Sequence, residues 1–110
     1  MSARPTLAGD YTLLQDFVCK EASVRVISLE TATEQVDAHT HEHSAQIYIA
    51  LEGEVLVDCD GHQEILEPYR LFYVPRGATH GVRAAYGPAV VANISVPPLQ
   101  PDDQVRVLTS

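Results

Sequence analysis

Five histidines stand at positions 39, 41, 43, 62 and 80 of this 110-residue chain, and three of them fall inside His39-Thr40-His41-Glu42-His43. Imidazole is the commonest protein ligand for a transition metal. On a β-strand, residues two apart face the same way, about 6.6 Å apart along the chain. His39 and His41 can therefore converge on one ion, whereas helical ligands come at offsets of three or four. Downstream, Gln46 lies five residues after His41 and Gly53 seven after Gln46. Pro75-Arg76-Gly77-Ala78-Thr79-His80 then reads as a tight turn that delivers a further histidine into a strand. No Ser-His-Asp set, nucleophilic Cys or phosphate-cradling Gly-rich loop is legible.

The rest of the chain must position these groups. One hundred and ten residues make one domain, large enough to bury roughly two thirds of its unfolded surface. Fifteen acids face seven bases, a net charge of −8, and Lys20 is the single lysine. That balance argues against nucleic acid, whose binding draws on Lys and Arg contacts to phosphate, and against polybasic membrane attachment. No apolar run approaches the ~20 residues of a membrane-spanning helix, and residues 1–10 lack the pattern of a signal peptide. The expectation is a cytoplasmic protein. Cys19 and Cys59 are too few for a disulfide scaffold and read as free thiols, although a bond between them stays open.

Short β-branched runs separated by Gly and Pro predict an all-β domain. Strands are expected at Ser23–Leu29, 46–51, 54–59, 63–66, Leu71–Val74, 79–84 and Ala89–Val96, with a short one at 105–108. Asp60-Gly61 between two apolar runs is a hairpin signal, because a type I′ turn needs positive φ at both central residues. Residues 11–18 are ambiguous, since Tyr11, Leu14 and Val18 fit helical spacing. Residues 1–22 are thus an N-terminal segment with an extra strand or short helix, 23–97 the barrel, and 98–110 a proline-broken tail.

These motifs, in this order, resemble the cupin superfamily. Its first motif reads His-x-His, a short spacer, Glu, six residues and Gly; here it is His39-Thr40-His41, Gln46 and Gly53. Its second reads Pro-x-Gly, two residues and His; here it is Pro75-Arg76-Gly77 and His80. The resemblance runs from about Ser23 to Val96. It implies a cupin-type double-stranded β-helix, or jelly-roll barrel, with one divalent transition metal held inside by His39, His41, Gln46 and His80. Three departures stand out. Gln46 replaces the metal-binding Glu, Tyr69 and Arg70 replace the Gly and the acidic residue that often open the second motif, and Ala84 replaces a frequent Asn.

An amide oxygen is neutral where a carboxylate would cancel one charge. Three imidazoles and an amide would leave a divalent ion its full charge, lowering affinity somewhat and raising Lewis acidity. Zn, Ni, Fe and Cu all suit such a set better than Mg or Ca. Alternation places Tyr48 and Ala50 on the side of Gln46, and Val82 and Ala84 on the side of His80, so Tyr48 is a candidate catalytic phenol in a mostly apolar pocket. His43 is an alternative ligand by parity, though more natural in solvent, and His62 falls at the hairpin. Asp37 is a candidate to orient an imidazole, while Glu42 and Glu52 read as loop acids. Arg70, Arg76 and Arg83 are candidates to steer an anionic substrate.

The leading functional expectation is a metal-dependent enzyme on a small, anionic or enolisable molecule, with dioxygenase-like chemistry the largest single class. Metal-dependent isomerase, cyclase or lyase chemistry fits the same site. A non-catalytic barrel that binds or senses a small molecule or metal is the alternative. A homodimer is expected, because Ala89–Val96 is apolar on both faces.

Overall fold

The computed structural model describes residues 3–6, 9–30, 35–100 and 105–106, with eleven strands and no helix among them. In chain order these are β1 (Ala3–Thr6), β2 (Gly9–Val18), β3 (Ser23–Leu29), β4 (Gln35–Thr40), β5 (Ala45–Glu52), β6 (Val55–Cys59), β7 (His62–Leu66), β8 (Leu71–Val74), β9 (His80–Ala84), β10 (Ala89–Val96) and β11 (Val105–Arg106). All pairings are antiparallel. One layer runs β7-β6-β9-β4 and the other β2-β3-β10-β5-β8. They are joined where β2 meets β4, at Gly9–Val36 and Asp10–Gln35. Along the opposite edge β1 pairs with Gly9–Thr12, and from Thr12 onward the edge that meets β4 pairs with β3 instead, so the two layers part there.

Leu29, Ala50, Val55, Val57 and Val91 are fully buried between the layers. Alternation holds as expected along β5, where Gln46, Tyr48 and Ala50 are all buried, and along β9, where His80, Val82 and Ala84 are. On β8, Val74 faces in, with Phe72 against the core, while Leu71 and Tyr73 face out. The Asp60-Gly61 turn has φ of 50° and 84°, the double left-handed geometry expected of it.

Residues 11–18 are strand, not helix. A bulge between Leu13 and Gln15 shifts the register against β3, and one extra residue in a period-2 strand spaces apolar side chains much as a helix would. Strand β4 carries a second bulge, between Val36 and His39. Of the expected strand at 105–108, Val105–Arg106 is present and the remainder lies outside the described residues. Both cysteines are free thiols.

Candidate metal centre

His39 and His80 are direct partners across the β4–β9 ladder, so their side chains rise from one rung on the inner face. His41 follows two residues after His39, just past the end of β4. The Gly77 amide donates to the His41 carbonyl at 2.8 Å, which ties the turn before His80 to the segment carrying His41. Gly77 has a φ of 81°, a conformation for which glycine is suited.

The three imidazoles are each about 2% exposed. Their ring centroids lie 4.2 Å (His39–His80), 4.6 Å (His39–His41) and 5.2 Å (His41–His80) apart. One ligand atom from each falls within 4.8 Å of the others. The chain has thus concentrated three nitrogen donors in its interior, a cluster that could bind a metal.

Two features of His80 fit it to that task. Its Nδ1 lies 3.0 Å from the Ala78 carbonyl, to which it donates. This is the outer hydrogen bond that fixes tautomer and ring orientation in metal-binding histidines. Burial also pushes its pKa down to about 4, with the Ala78 carbonyl opposing and His41 adding to the shift. The ring is therefore neutral at pH 7, with its Nε2 lone pair on the inner side. That lone pair meets Gln46, whose Oε1 lies 2.7 Å away and whose Nε2 donates to Ser95 Oγ at 2.9 Å. Gln46, 1% exposed, is brought to the cluster as its position in the motif implied.

Tyr48 is fully buried and its ring centroid lies 6.0 Å from that of His80. Its hydroxyl is buried without a hydrogen-bond partner among the described residues. Burial first, then Tyr11 and Cys59, pushes the phenol far above its usual range. It keeps its proton at ordinary pH and can act as a donor, not as a base. Cys59 faces His80 across the β6–β9 ladder. Burial, followed by Asp60 and Asp58, pushes its thiol up, and Cys59 lies outside the cluster of three imidazoles.

The other candidates fall elsewhere. His43 and His62 are exposed and outside the cluster, His62 lying 3.9 Å from Glu64. Glu42 and Glu52 are exposed, and the side chain of Asp37 lies outside the described residues. Arg70, Arg76 and Arg83 are exposed, and Arg83 sits between inward-facing Val82 and Ala84, so it points outward. A groove of about 490 Å³ elsewhere on the surface takes in Arg70, Leu71 and Glu64 but none of the histidines.

A cation overlooked by the sequence reading shares the inner-face parity while staying more than a third exposed at its side chain. Arg25 alternates with buried Ser23 and Ile27 on β3. It is the ladder partner of Asn93, which in turn partners Tyr48. Asp16 lies 3.7 Å from its Nε. Parity along Ser23–Leu29 would have found it, since Arg25 shares a face with Ile27 and Leu29.

A pH effect follows from the neutral, buried His80. With metal removed, the unfolded chain protonates this ring below its ordinary 6.5, whereas the folded chain resists until about 4. Stability is therefore lost as pH falls through that window. Between pH 7.5 and pH 5 the loss from this group is about 2 kcal/mol. Urea unfolding of the chelated protein at both pH values, beside His80→Gln, should show the excess loss in the wild type alone. Equal losses in the two proteins would mean that the ring is not held neutral.

Comparison with known proteins agrees with this geometry. The sequence profile described as "Cupin domain" matches residues 25–96. An uncharacterized Bacillus subtilis protein, YdbB, is 30% identical over 70 residues, which is 63% of this chain and 62% of the relative. The chain thus aligns with about three fifths of the length of that curated relative. Among solved structures, TT1209 from Thermus thermophilus is similar with a TM-score of 0.72 at 28% identity, over 84% of this chain and 86% of that one. KdgF from Halomonas sp. gives a TM-score of 0.71 at 17% identity, covering 88% and 86%. Streptomyces Pac13, described as a nucleoside dehydratase, gives 0.74 at 17% identity, covering 96% and 83%. The last two likenesses are of fold.

Proposed function

This chain belongs to the cupin family, and from that premise we propose that it is a metal-dependent enzyme acting on a small anionic or enolisable molecule. The observation that carries this reading is the convergence of three buried imidazoles, with a neutral amide and a buried phenol beside them. His39, His41 and His80 would hold a divalent ion, with Gln46 as the fourth ligand. All four donors are neutral, so the ion would serve as a Lewis acid of undiminished charge for an anionic oxygen of the substrate. Ala50, Val57 and Val82, buried on β5, β6 and β9, would supply apolar walls. Tyr48 would donate a hydrogen bond from its hydroxyl to a substrate oxygen. Arg25 would draw the anion inward from the side where the layers part.

Dioxygenase-like chemistry and isomerase, cyclase or lyase chemistry share this donor set, and Pac13, a dehydratase on the same fold, lends support to the second group. Reconstitution with Zn, Ni, Fe(II) or Cu, followed by a screen of enolisable acids with and without oxygen, tests the reading. Turnover that requires oxygen and iron or copper would assign the first group, and anaerobic turnover the second. Tight ligand binding without turnover on any metal would favour the non-catalytic alternative. The free thiols suit a reducing, cytoplasmic setting, and no helix among the described residues is long and apolar enough to cross a membrane.

A homodimer belongs to the same proposal. Register places Phe17, Val24, Ile94, Ile47 and Tyr73 in one outward rung across five strands. The next rung is Gln15, Val26, Ala92, Ile49 and Leu71. An antiparallel sheet that faces water is normally polar on its outer side, whereas these rungs are uncharged and, Gln15 apart, apolar on a chain of net charge −8. A second copy can cover this face without opposing charges. Sedimentation should give twice the 12.0 kDa chain mass, and Ile94→Glu should give the monomer. A wild type that stays monomeric at every concentration would sink the dimer.

A further inference from the structure

Gln46 stands between a ring that can only accept and a hydroxyl that can do both. The His80 Nδ1 proton is committed to the Ala78 carbonyl, so a neutral His80 presents a lone pair at Nε2. With the Gln46 oxygen 2.7 Å from that nitrogen, two lone pairs face one another. That arrangement is favourable only when a cation lies against both. The alternative is a half-turn of the amide, which exchanges its oxygen and nitrogen in nearly the same volume. The Gln46 nitrogen then donates to His80, and its oxygen must accept from Ser95. Serine is equal to either demand, because its hydroxyl carries one proton and two lone pairs. Ser95 is 2% exposed, and its backbone is the ladder partner of Gln46, so no rearrangement of strands is needed.

We propose that Ser95 is a positioning residue for the metal centre, its hydroxyl holding the Gln46 amide in two opposite orientations. In the metal-free centre the amide nitrogen faces His80 and Ser95 donates to the amide oxygen. In the loaded centre the amide oxygen faces the ion and Ser95 accepts from the amide nitrogen. The proposal rests on the reading that His39, His41, His80 and Gln46 hold a metal. It gives a reason for the neutral ligand: when the ion leaves, a carboxylate has only acceptor oxygens for His80 and would call for a protonated ring, whereas an amide can donate to the neutral one.

The test uses Zn(II) on the full chain. In a competitive titration, Ser95→Ala should weaken Zn(II) binding roughly tenfold or more, the usual cost of removing a group that orients a ligand. Ser95→Thr, which keeps the hydroxyl, should restore most of it. In isotope-labelled wild type, the Gln46 side-chain amide protons should show nuclear Overhauser contacts to the His80 ring before Zn(II) is added. Those contacts should be exchanged for contacts to the Ser95 methylene afterwards. Unchanged contacts, or Ser95→Ala binding Zn(II) as tightly as wild type, would overturn the proposal while leaving the metal centre standing. A wild type that takes up no Zn(II) would overturn both.

Discussion

His41→Ala is expected to lose metal and keep its fold. His41 contributes one of three imidazoles to the cluster, and a bound zinc ion is worth on the order of 10–16 kcal/mol shared among about four ligands. One ligand then accounts for about 3 kcal/mol, more than a hundredfold in affinity. The fold should survive because the link to the second-motif turn uses the His41 carbonyl rather than its ring. Turnover should fall below detection, with circular dichroism and the chelated melting temperature close to wild type. A variant that still binds one equivalent with wild-type affinity would remove His41 from the site.

Gly53→Ala is expected to be the most damaging single methyl added to the backbone. Gly53 has a φ of 67°, and a Cβ built there would lie 2.4 Å from the Pro88 carbonyl oxygen. Left-handed backbone costs a non-glycine residue roughly 1–2 kcal/mol, and overpacking against rigid atoms a further 1–3 kcal/mol. The sum, about 3 kcal/mol, should lower the melting temperature by roughly 12 °C. Gly61 isolates the two causes. Its φ is 84°, yet nothing lies within 4 Å of an added Cβ, so Gly61→Ala should show only the smaller, dihedral cost. Similar melting temperatures for the two variants would mean that the β5–β6 turn yields to the added methyl.

Much of the site was legible because strands alternate. Parity alone pairs Gln46 with Tyr48 and His80 with Val82, and all four are buried together. The Asp60-Gly61 hairpin was legible because few dipeptides accept two positive φ values. What escaped the sequence was where alternation breaks or where partners are remote. Bulges in β2 and β4 shift parity by one, which no periodicity rule anticipates. Tyr69, one of the departures from the family pattern, takes a φ of 72°, the conformation the usual glycine would adopt. Ser95 lies 49 residues from Gln46, and only the β5–β10 register brings them into contact.

The most direct test of the metal centre is elemental analysis of untagged wild-type protein beside His41→Ala and Gln46→Glu. The wild type should carry close to one equivalent of a transition metal per chain, His41→Ala should carry none, and Gln46→Glu should retain it at least as tightly. A wild type that holds no metal, even after reconstitution with Zn, Ni and Fe(II), would contradict the account and leave a barrel that only binds a ligand.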